Sequence, residues 1–288
     1  MEAKTTLQEI ELDIFKRFKR LCQDYNLRYF AIGGTCIGAI RHNGFIPWDD
    51  DIDVAMPLED YIKLKEIAMR ELEYPYSLYT TEKNRHWYAG SMKMQNENTT
   101  FIEKDCFKYE DRHTGAWIDI MPVYGLPQGS IKQYFASILC DMYLFLNRRF
   151  RLDYDQQMTI FNKVLWKLLK GLKRDRNFNY YIEKSEKVLG KYPFDNSNKI
   201  IFSWRQRPYF FRKTTYKSVF FYEDFKKDIE VPFEDTTIKV PIGYDRYLRM
   251  DFGDYMQLPP LDKRVPRHNA DIIDMNQSYR YYMEEQKK

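Results

Sequence analysis

Four carboxylates fall within five residues at Asp49-Asp50-Asp51-Ile52-Asp53. Like charges at this spacing repel one another, and an apolar core does not accept them without compensation. The flanks are not those of a solvated acidic tail: Phe45-Ile46-Pro47-Trp48 precedes the run and Val54-Ala55-Met56-Pro57 follows it. Read as a strand, Asp51-Ile52-Asp53-Val54 alternates faces, with Asp49, Asp51 and Asp53 on one side and Ile52 and Val54 toward a core. Carboxylates held on one face of a strand suit Mg²⁺ or Mn²⁺, with substrate phosphates completing the shell. A charged turn, or a structural Ca²⁺ loop, is the other reading of the same six residues.

A chain of 288 residues, 44% hydrophobic and 17% aromatic, has the means to build a core and is not expected to be disordered. A net charge of only +4 argues against a general nucleic-acid binder. Cys22, Cys36, Cys106 and Cys140 are scattered and form no CxxC pair, which gives no support to a zinc site and favours a reducing compartment. Met1-Glu2-Ala3-Lys4 opens into charged residues without an apolar signal segment. No run approaches the ~18 apolar residues of a membrane span. A cytoplasmic location is expected.

Leu7, Ile10, Ile14, Phe18, Leu21 and Tyr25 recur at helical spacing and predict an amphipathic helix over Thr6 to Tyr25. Arg28 to Ile32 reads as a short strand broken by Gly33-Gly34-Thr35, with a helix beginning near Cys36. Paired glycines between strand and helix let backbone N–H groups approach a phosphate, although most such pairs are simple turns. Arg41 and His42 follow as anion contacts or as ordinary surface charge. Pro57 opens a helix running to about Glu71. Tyr76–Thr81 and Trp87–Gln95 read as strands, and the polar stretch Asn96–Asp111 as a mobile loop over the site. Asp119 stands alone between Ile118 and Ile120 in the strand Ala116–Met121. A carboxylate in that setting needs a compensating partner: a metal shared with Asp51 and Asp53, or a backbone amide or arginine.

Ile131–Phe150, Gln156–Leu172 and Tyr180–Leu189 read as helices. Between Asn147 and Arg176 there are nine Lys or Arg against three Asp, a basic segment that suits either an anionic membrane surface or a solvated helical face. Ile200–Tyr222 is dense in aromatics and arginines. There Trp204 and Arg205 are candidates to hold a quaternary ammonium and a phosphate, and core packing explains many of the same aromatics. Thr236–Val240 is a strand and Tyr244–Asp251 a helix. Regular structure is expected to end at Leu258-Pro259-Pro260, with a polar, fraying tail. The break at Pro127–Ser130 suggests a division into a core at 1–129, a helical insertion at 130–198 and a C-terminal part at 199–288 that returns to the core.

A glycine turn after one strand, Asp-x-Asp on the next and a lone Asp on a later one follow the order of the nucleotidyltransferase superfamily. The whole run from Gly33-Gly34-Thr35-Cys36 through Arg41-His42-Asn43-Gly44-Phe45-Ile46-Pro47-Trp48 to Asp53 resembles the signature of the LicD family. Trp117-Ile118-Asp119-Ile120-Met121-Pro122 is similar to its second motif. Tyr244 to Leu248, Phe252 to Pro260 and Arg267-His268 are similar to its C-terminal motif. Cys36 departs from the leucine more usual at its position. The resemblance implies an α+β fold: a nucleotidyltransferase-like mixed sheet with flanking helices and a helical insertion. It also implies transfer of a phospho-alcohol from a CDP-activated donor to a glycan hydroxyl, with release of CMP. Phosphocholine from CDP-choline, placed on lipopolysaccharide, teichoic acid or capsule, is the expected case. CDP-ribitol is the donor in the related fukutin and fukutin-related protein. CDP-glycerol, a true NTP-dependent nucleotidyltransferase and a non-catalytic glycan- or membrane-binding relative are the alternatives.

Under this resemblance Asp51 and Asp53 are metal ligands, with Asp49 or Asp50 in support. Asp119 is a third ligand or the base for the acceptor. Gly33, Gly34 and Thr35 cradle donor phosphate, and Arg41 and His42 contact anions. Trp48 is expected to pack beneath the acidic stretch. A lipid-linked glycan acceptor would place the work at the inner face of the cytoplasmic membrane, with peripheral contact through the basic segment.

Overall fold

The computed structural model describes residues 6–84, 90–104, 106–151, 164, 179–202, 219–266 and 268–285. The first helix, α1, spans Thr6–Asp24 and ends one residue short of the expected Tyr25. Its apolar positions recur every three or four residues, so one face closes on the core, where Leu12, Ile14, Phe15, Phe18 and Leu21 are buried. Burying side chains of this kind contributes roughly 1.5–3 kcal/mol each. Phe15 and Phe18 meet Tyr29 edge to face, at ring separations of 6.1 Å and 5.1 Å.

Three elements then build the site. Strand β1 is only Phe30–Ala31, helix α2 spans Gly33–His42 and strand β2 spans Asp53–Pro57. Two expectations are corrected here. Helix α2 begins at Gly33 rather than at Cys36, because the glycine pair forms its first turn instead of breaking the chain. Strand β2 begins at Asp53, so Asp49 to Ile52 form an irregular segment, after a turn at Pro47–Trp48, that leads into it. The alternation survives the shorter strand. Ile52 and Val54 are fully buried, while Asp51 and Asp53 keep partial access to solvent.

Helix α3 (Leu58–Glu71) follows with Pro57 as its N-cap and Glu59 and Asp60 in its first turn, where carboxylates suit the helix dipole. Strands β3 (Tyr76–Tyr79) and β4 (Met92–Asn96) come next; residues 85–89, where the second expected strand was to begin, lie outside the described residues. The expected loop Asn96–Asp111 contains a strand, β5 (Thr100–Glu103), and a 3₁₀ turn at Glu110–Arg112. Thr100, Phe101 and Ile102 are buried, a position a polar surface loop does not take.

Strand β6 (Ala116–Gly125) is the hub of the main sheet. The order is β1-β2-β6-β4-β3, with β7 (Lys199–Phe202) on β6 and β8 (Val219–Phe221) on β7. Only β2 and β6 run parallel; the other pairs of this sheet are antiparallel. The sheet is therefore mixed and the fold α+β. Helices α4 (Ser130–Arg151) and α5 (Tyr180–Leu189) pack on one another. The expected helix Gln156–Leu172, and most of the basic segment around it, lie outside the described residues.

The chain closes with helix α6 (Tyr222–Phe225), the hairpin β9 (Asp228–Phe233) and β10 (Thr236–Pro241), and helix α7 (Tyr244–Phe252). The tail does not fray after Pro260. Strand β11 (Ala270–Asp274) pairs with β5, and helix α8 (Tyr279–Glu285) follows it. The backbone N–H of Tyr279 donates to the Thr99 carbonyl at 3.1 Å, and Arg280 pairs with Glu97. The polar tail finds its partners more than 160 residues back along the chain, where local composition gives no sign of them.

Glu186 on α5 makes stability pH-dependent. Burial first, then the charge of Glu82, lifts its carboxyl to about 7, with Lys65 offsetting part of the effect. The folded state therefore holds this proton more tightly than the unfolded chain. The resulting stabilisation is full below about pH 4.5 and is lost as pH rises through about 7. Glu186→Gln should raise the melting temperature at pH 8, by the equivalent of about 1–3 kcal/mol, and leave it nearly unchanged at pH 4.5. Thermal denaturation of both proteins across that range checks this.

Candidate active site

Asp51, Asp53 and Asp119 each offer a carboxylate oxygen within 4.8 Å of the others. The parallel register sets two of them side by side, because Asp53 on β2 is the direct neighbour of Asp119 on β6. Register partners project to the same face. Backbone bonds pin the arrangement: Asp119 N–H donates to Ile52 at 2.8 Å, Ile32 N–H to Asp53 at 3.1 Å and Asp53 N–H to the Thr35 hydroxyl at 2.8 Å. Burial and the neighbouring Asp49 charge push the Asp51 carboxyl up, against the pull of His268. The donor set is carboxylate oxygen throughout, which fits a hard divalent ion such as Mg²⁺ or Mn²⁺.

A second group joins Asp50 and Asp51 to His268. His268 N–H donates to Asp50 Oδ2 at 3.0 Å, and its Nδ1 lies 3.3 Å from Asp50 Oδ1 and 3.9 Å from Asp51 Oδ2. Burial disfavours the imidazolium, but the Asp50 hydrogen bond and both carboxylate charges outweigh it and hold His268 above its ordinary value. Below the cluster, Glu11 of α1 is 2% exposed and its Oε2 has no hydrogen-bond partner. Burial, then Asp51, Asp50, Asp49 and Asp119, raise its carboxyl well above the usual range.

On the other side of Asp119 stands a cation. Lys93 on β4 is the register partner of Asp119 and is 2% exposed. Its ammonium lies 3.3 Å from the centre of the Trp117 ring and 3.7 Å from Glu103 Oε1. The Trp117 indole N–H donates to Asp119 Oδ2 at 2.9 Å. The fixed indole holds one oxygen of Asp119 in place, and the cation on its ring face strengthens that donor.

The glycine turn lies directly over these carboxylates. Gly33 has φ +58°, a left-handed conformation that favours glycine, and its N–H donates to the Tyr247 hydroxyl at 2.9 Å. A methyl group at Gly34 would overlap Asp49 Oδ2, so the Asp49 carboxylate sits against the first turn of α2. Asp49 belongs to neither of these two groups. Arg41 closes α2, with its Nε donating to His42 Nε2 at 2.9 Å and its guanidinium to the Tyr255 carbonyl. Trp48 is partly buried against the core. Trp204 and Arg205 lie outside the described residues.

The sequence reading assigned no role to Glu11, Lys93 or His268. Lys93 carried a usable signal, a lone charge between Met92 and Met94 like that of Asp119 between isoleucines. Glu11 carried none, since its apolar surroundings are assembled from distant segments.

This fold and this acidic centre define a nucleotidyltransferase-type transferase. Residues 26–133, from before β1 into α4, match the LicD/FKTN/FKRP nucleotidyltransferase domain. The chain is 29% identical over 278 residues to the lipopolysaccharide cholinephosphotransferase LicD of Haemophilus influenzae, covering 92% of this chain and 97% of that one. A 34-residue segment is 50% identical to the ribitol 5-phosphate transferase FKRP of Homo sapiens, over 12% of this chain and 7% of that protein. A 65-residue segment is 41% identical to the uncharacterized protein RP689 of Rickettsia prowazekii, over 23% of this chain and 24% of that one. Along almost its whole length the chain is thus similar to a LicD phosphotransferase.

The two glycines should fail differently when replaced. Gly33→Ala places a side chain on a left-handed backbone and should cost about 1–2 kcal/mol in urea unfolding. Gly34→Ala meets only the end of the Asp49 side chain, which can turn away. Its cost should be the smaller of the two, and a similar loss for both variants would contradict this geometry.

Proposed function

We propose that this protein moves a phospho-alcohol, phosphocholine from CDP-choline, onto a hydroxyl of a cell-surface glycan such as lipopolysaccharide, with Mg²⁺ or Mn²⁺ as cofactor and CMP as product. The observation that carries the reading is the Asp53–Asp119 register pair, completed by Asp51. The similarity to a cholinephosphotransferase along almost the whole chain supports the choice of donor. Asp51, Asp53 and Asp119 would hold the cation, and Asp50, fixed by His268, braces the segment that carries Asp51. When bound, the ion neutralises the donor diphosphate.

The acceptor hydroxyl oxygen attacks the distal phosphorus in line. The bond from that phosphorus to the CMP phosphate oxygen breaks, and its electron pair departs with CMP. The hydroxyl proton passes to a carboxylate of the centre, which is Asp119 where that residue does not itself ligate the ion. Gly33, Gly34 and Thr35 offer the first turn of α2 to donor phosphate, and Arg41 and His42 lie at its far end. Teichoic acid and capsule are further acceptors of the same chemistry. Among the described residues no helix is long and apolar enough to cross a membrane, and a lipid-linked acceptor would be met at the membrane surface.

Two measurements test this reading. Asp53→Asn should weaken Mn²⁺ binding in calorimetry by tenfold or more and abolish transfer, with a melting temperature at or above that of the native protein as carboxylate repulsion falls. Undiminished Mn²⁺ affinity sinks the ligand assignment. In a donor panel of CDP-choline, CDP-ribitol, CDP-glycerol, CTP and ATP, CMP should appear from CDP-choline only with metal and a glycan acceptor. Pyrophosphate from an NTP, with every CDP-alcohol inert, would instead make this an NTP-dependent nucleotidyltransferase.

A further inference from the structure

Beside the acidic centre lies a cluster of the opposite sign. Arg41 Nε donates to the His42 ring, and the His42 ring stands edge-on to Trp48 with centres 6.4 Å apart. The guanidinium of Arg264 lies 5.4 Å from the centre of the Trp48 ring. Arg264 comes from the segment after the Pro259-Pro260 break, so two arginines more than 220 residues apart meet across one His–Trp pair. Both donate to neutral acceptors: Arg41 to the Tyr255 carbonyl and the His42 ring, Arg264 to the Pro259 carbonyl at 2.9 Å. Among the described residues neither sits in an ion pair, although other arginines of this chain find carboxylates, as Arg28 does with Asp60 and Arg246 with Asp224.

Bringing two guanidiniums together without a counter-ion is unfavourable. Burial lowers the proton affinity of Arg41, and the charge of Arg264 lowers it further, while Asp49 works the other way. Asp49 also rests against Gly34, so one carboxylate stands between the arginine cluster and the glycine turn. The two held donors, one at the end of α2 and one stacked on an indole, form a fork suited to phosphate oxygens.

We propose that Arg41 and Arg264, braced by His42 and Trp48, form an anion site for the phosphate of the nucleotide that departs from the donor. This rests on the CDP-alcohol reading above and adds Arg264 and Trp48 to the residues that serve it. The carboxylates would hold the cation against the diphosphate, and the two guanidiniums would meet the departing phosphate. Charge that develops on the leaving oxygen is then met by fixed donors. Arg264 also ties the C-terminal motif to the nucleotide, so binding should order that segment.

The test is calorimetric titration of the full-length protein with CMP and with cytidine, in Mg²⁺, for native, Arg264→Gln and Arg264→Lys. Arg264→Gln should weaken CMP binding tenfold or more and leave cytidine binding unchanged. Arg264→Lys should recover part of the CMP affinity, and both variants should keep the native melting temperature within a few degrees. Equal CMP affinity in native and Arg264→Gln overturns the anion site while the donor reading stands. A native protein that binds ATP but not CMP removes the cytidine donor instead; the same variants titrated with ATP then decide the arginine pair, tenfold weakening supporting it and equal affinity overturning it.

Discussion

The parallel pairing of β2 with β6 is the constraint on which the rest depends. A slip of one residue would turn every side chain of β2 to the other face. Ile52, Val54 and Met56 would lose their places in the core, where all three are fully buried. That burial is worth on the order of 4–9 kcal/mol in total. Repulsion among three carboxylates at these separations, near a protein surface, is of the same order, about 3 kcal/mol per pair. The hydrophobic register can therefore hold the charges together, but with little to spare. The upward shift of Asp51 and the nearby imidazolium of His268 are how the fold meets the remainder.

The surroundings of the centre are assembled from every part of the chain. Glu11 comes from the first helix, Lys93 and Trp117 from the middle of the sheet, and His268 from the tail. Each changes the electrostatics of the aspartates in a different way. Glu11, buried without a hydrogen-bond partner for its Oε2, has its carboxyl pushed up by burial and by the aspartates themselves. Lys93 acts through an aromatic ring and an indole N–H. His268 bonds Asp50 directly. No single segment could supply all three, which is why a compact acidic motif needs a fold of this size around it.

What was legible in the sequence was local. Gly33 to Asp53 is one unbroken stretch, and both its order and its chemistry can be read along the chain. The helices α1, α3, α4 and α5 were legible too, because their apolar spacing is a property of adjacent turns. Asp119 announced itself by standing alone among isoleucines. The C-terminal strand β11 and its partner β5 were missed for the opposite reason. Residues 270–274 gain their structure from residues 100–103 and have no marked pattern of their own. The glycine pair was read as a break because glycine disfavours helix interiors; at the first turn that objection does not apply. The aromatic stretch around Trp204 lies outside the described residues.

The pairing of β5 with β11 has a consequence for the order in which the molecule becomes competent. Synthesis runs from the amino end, and domains generally begin to fold as they emerge. Glu11, Asp51, Asp53 and Asp119 are all made more than a hundred residues before Arg264 and His268. Over that interval the nascent protein carries the acidic cluster without the imidazole that bonds Asp50 and without the second guanidinium. The growing protein thus holds its burden of negative charge before it holds the residues that complete the centre.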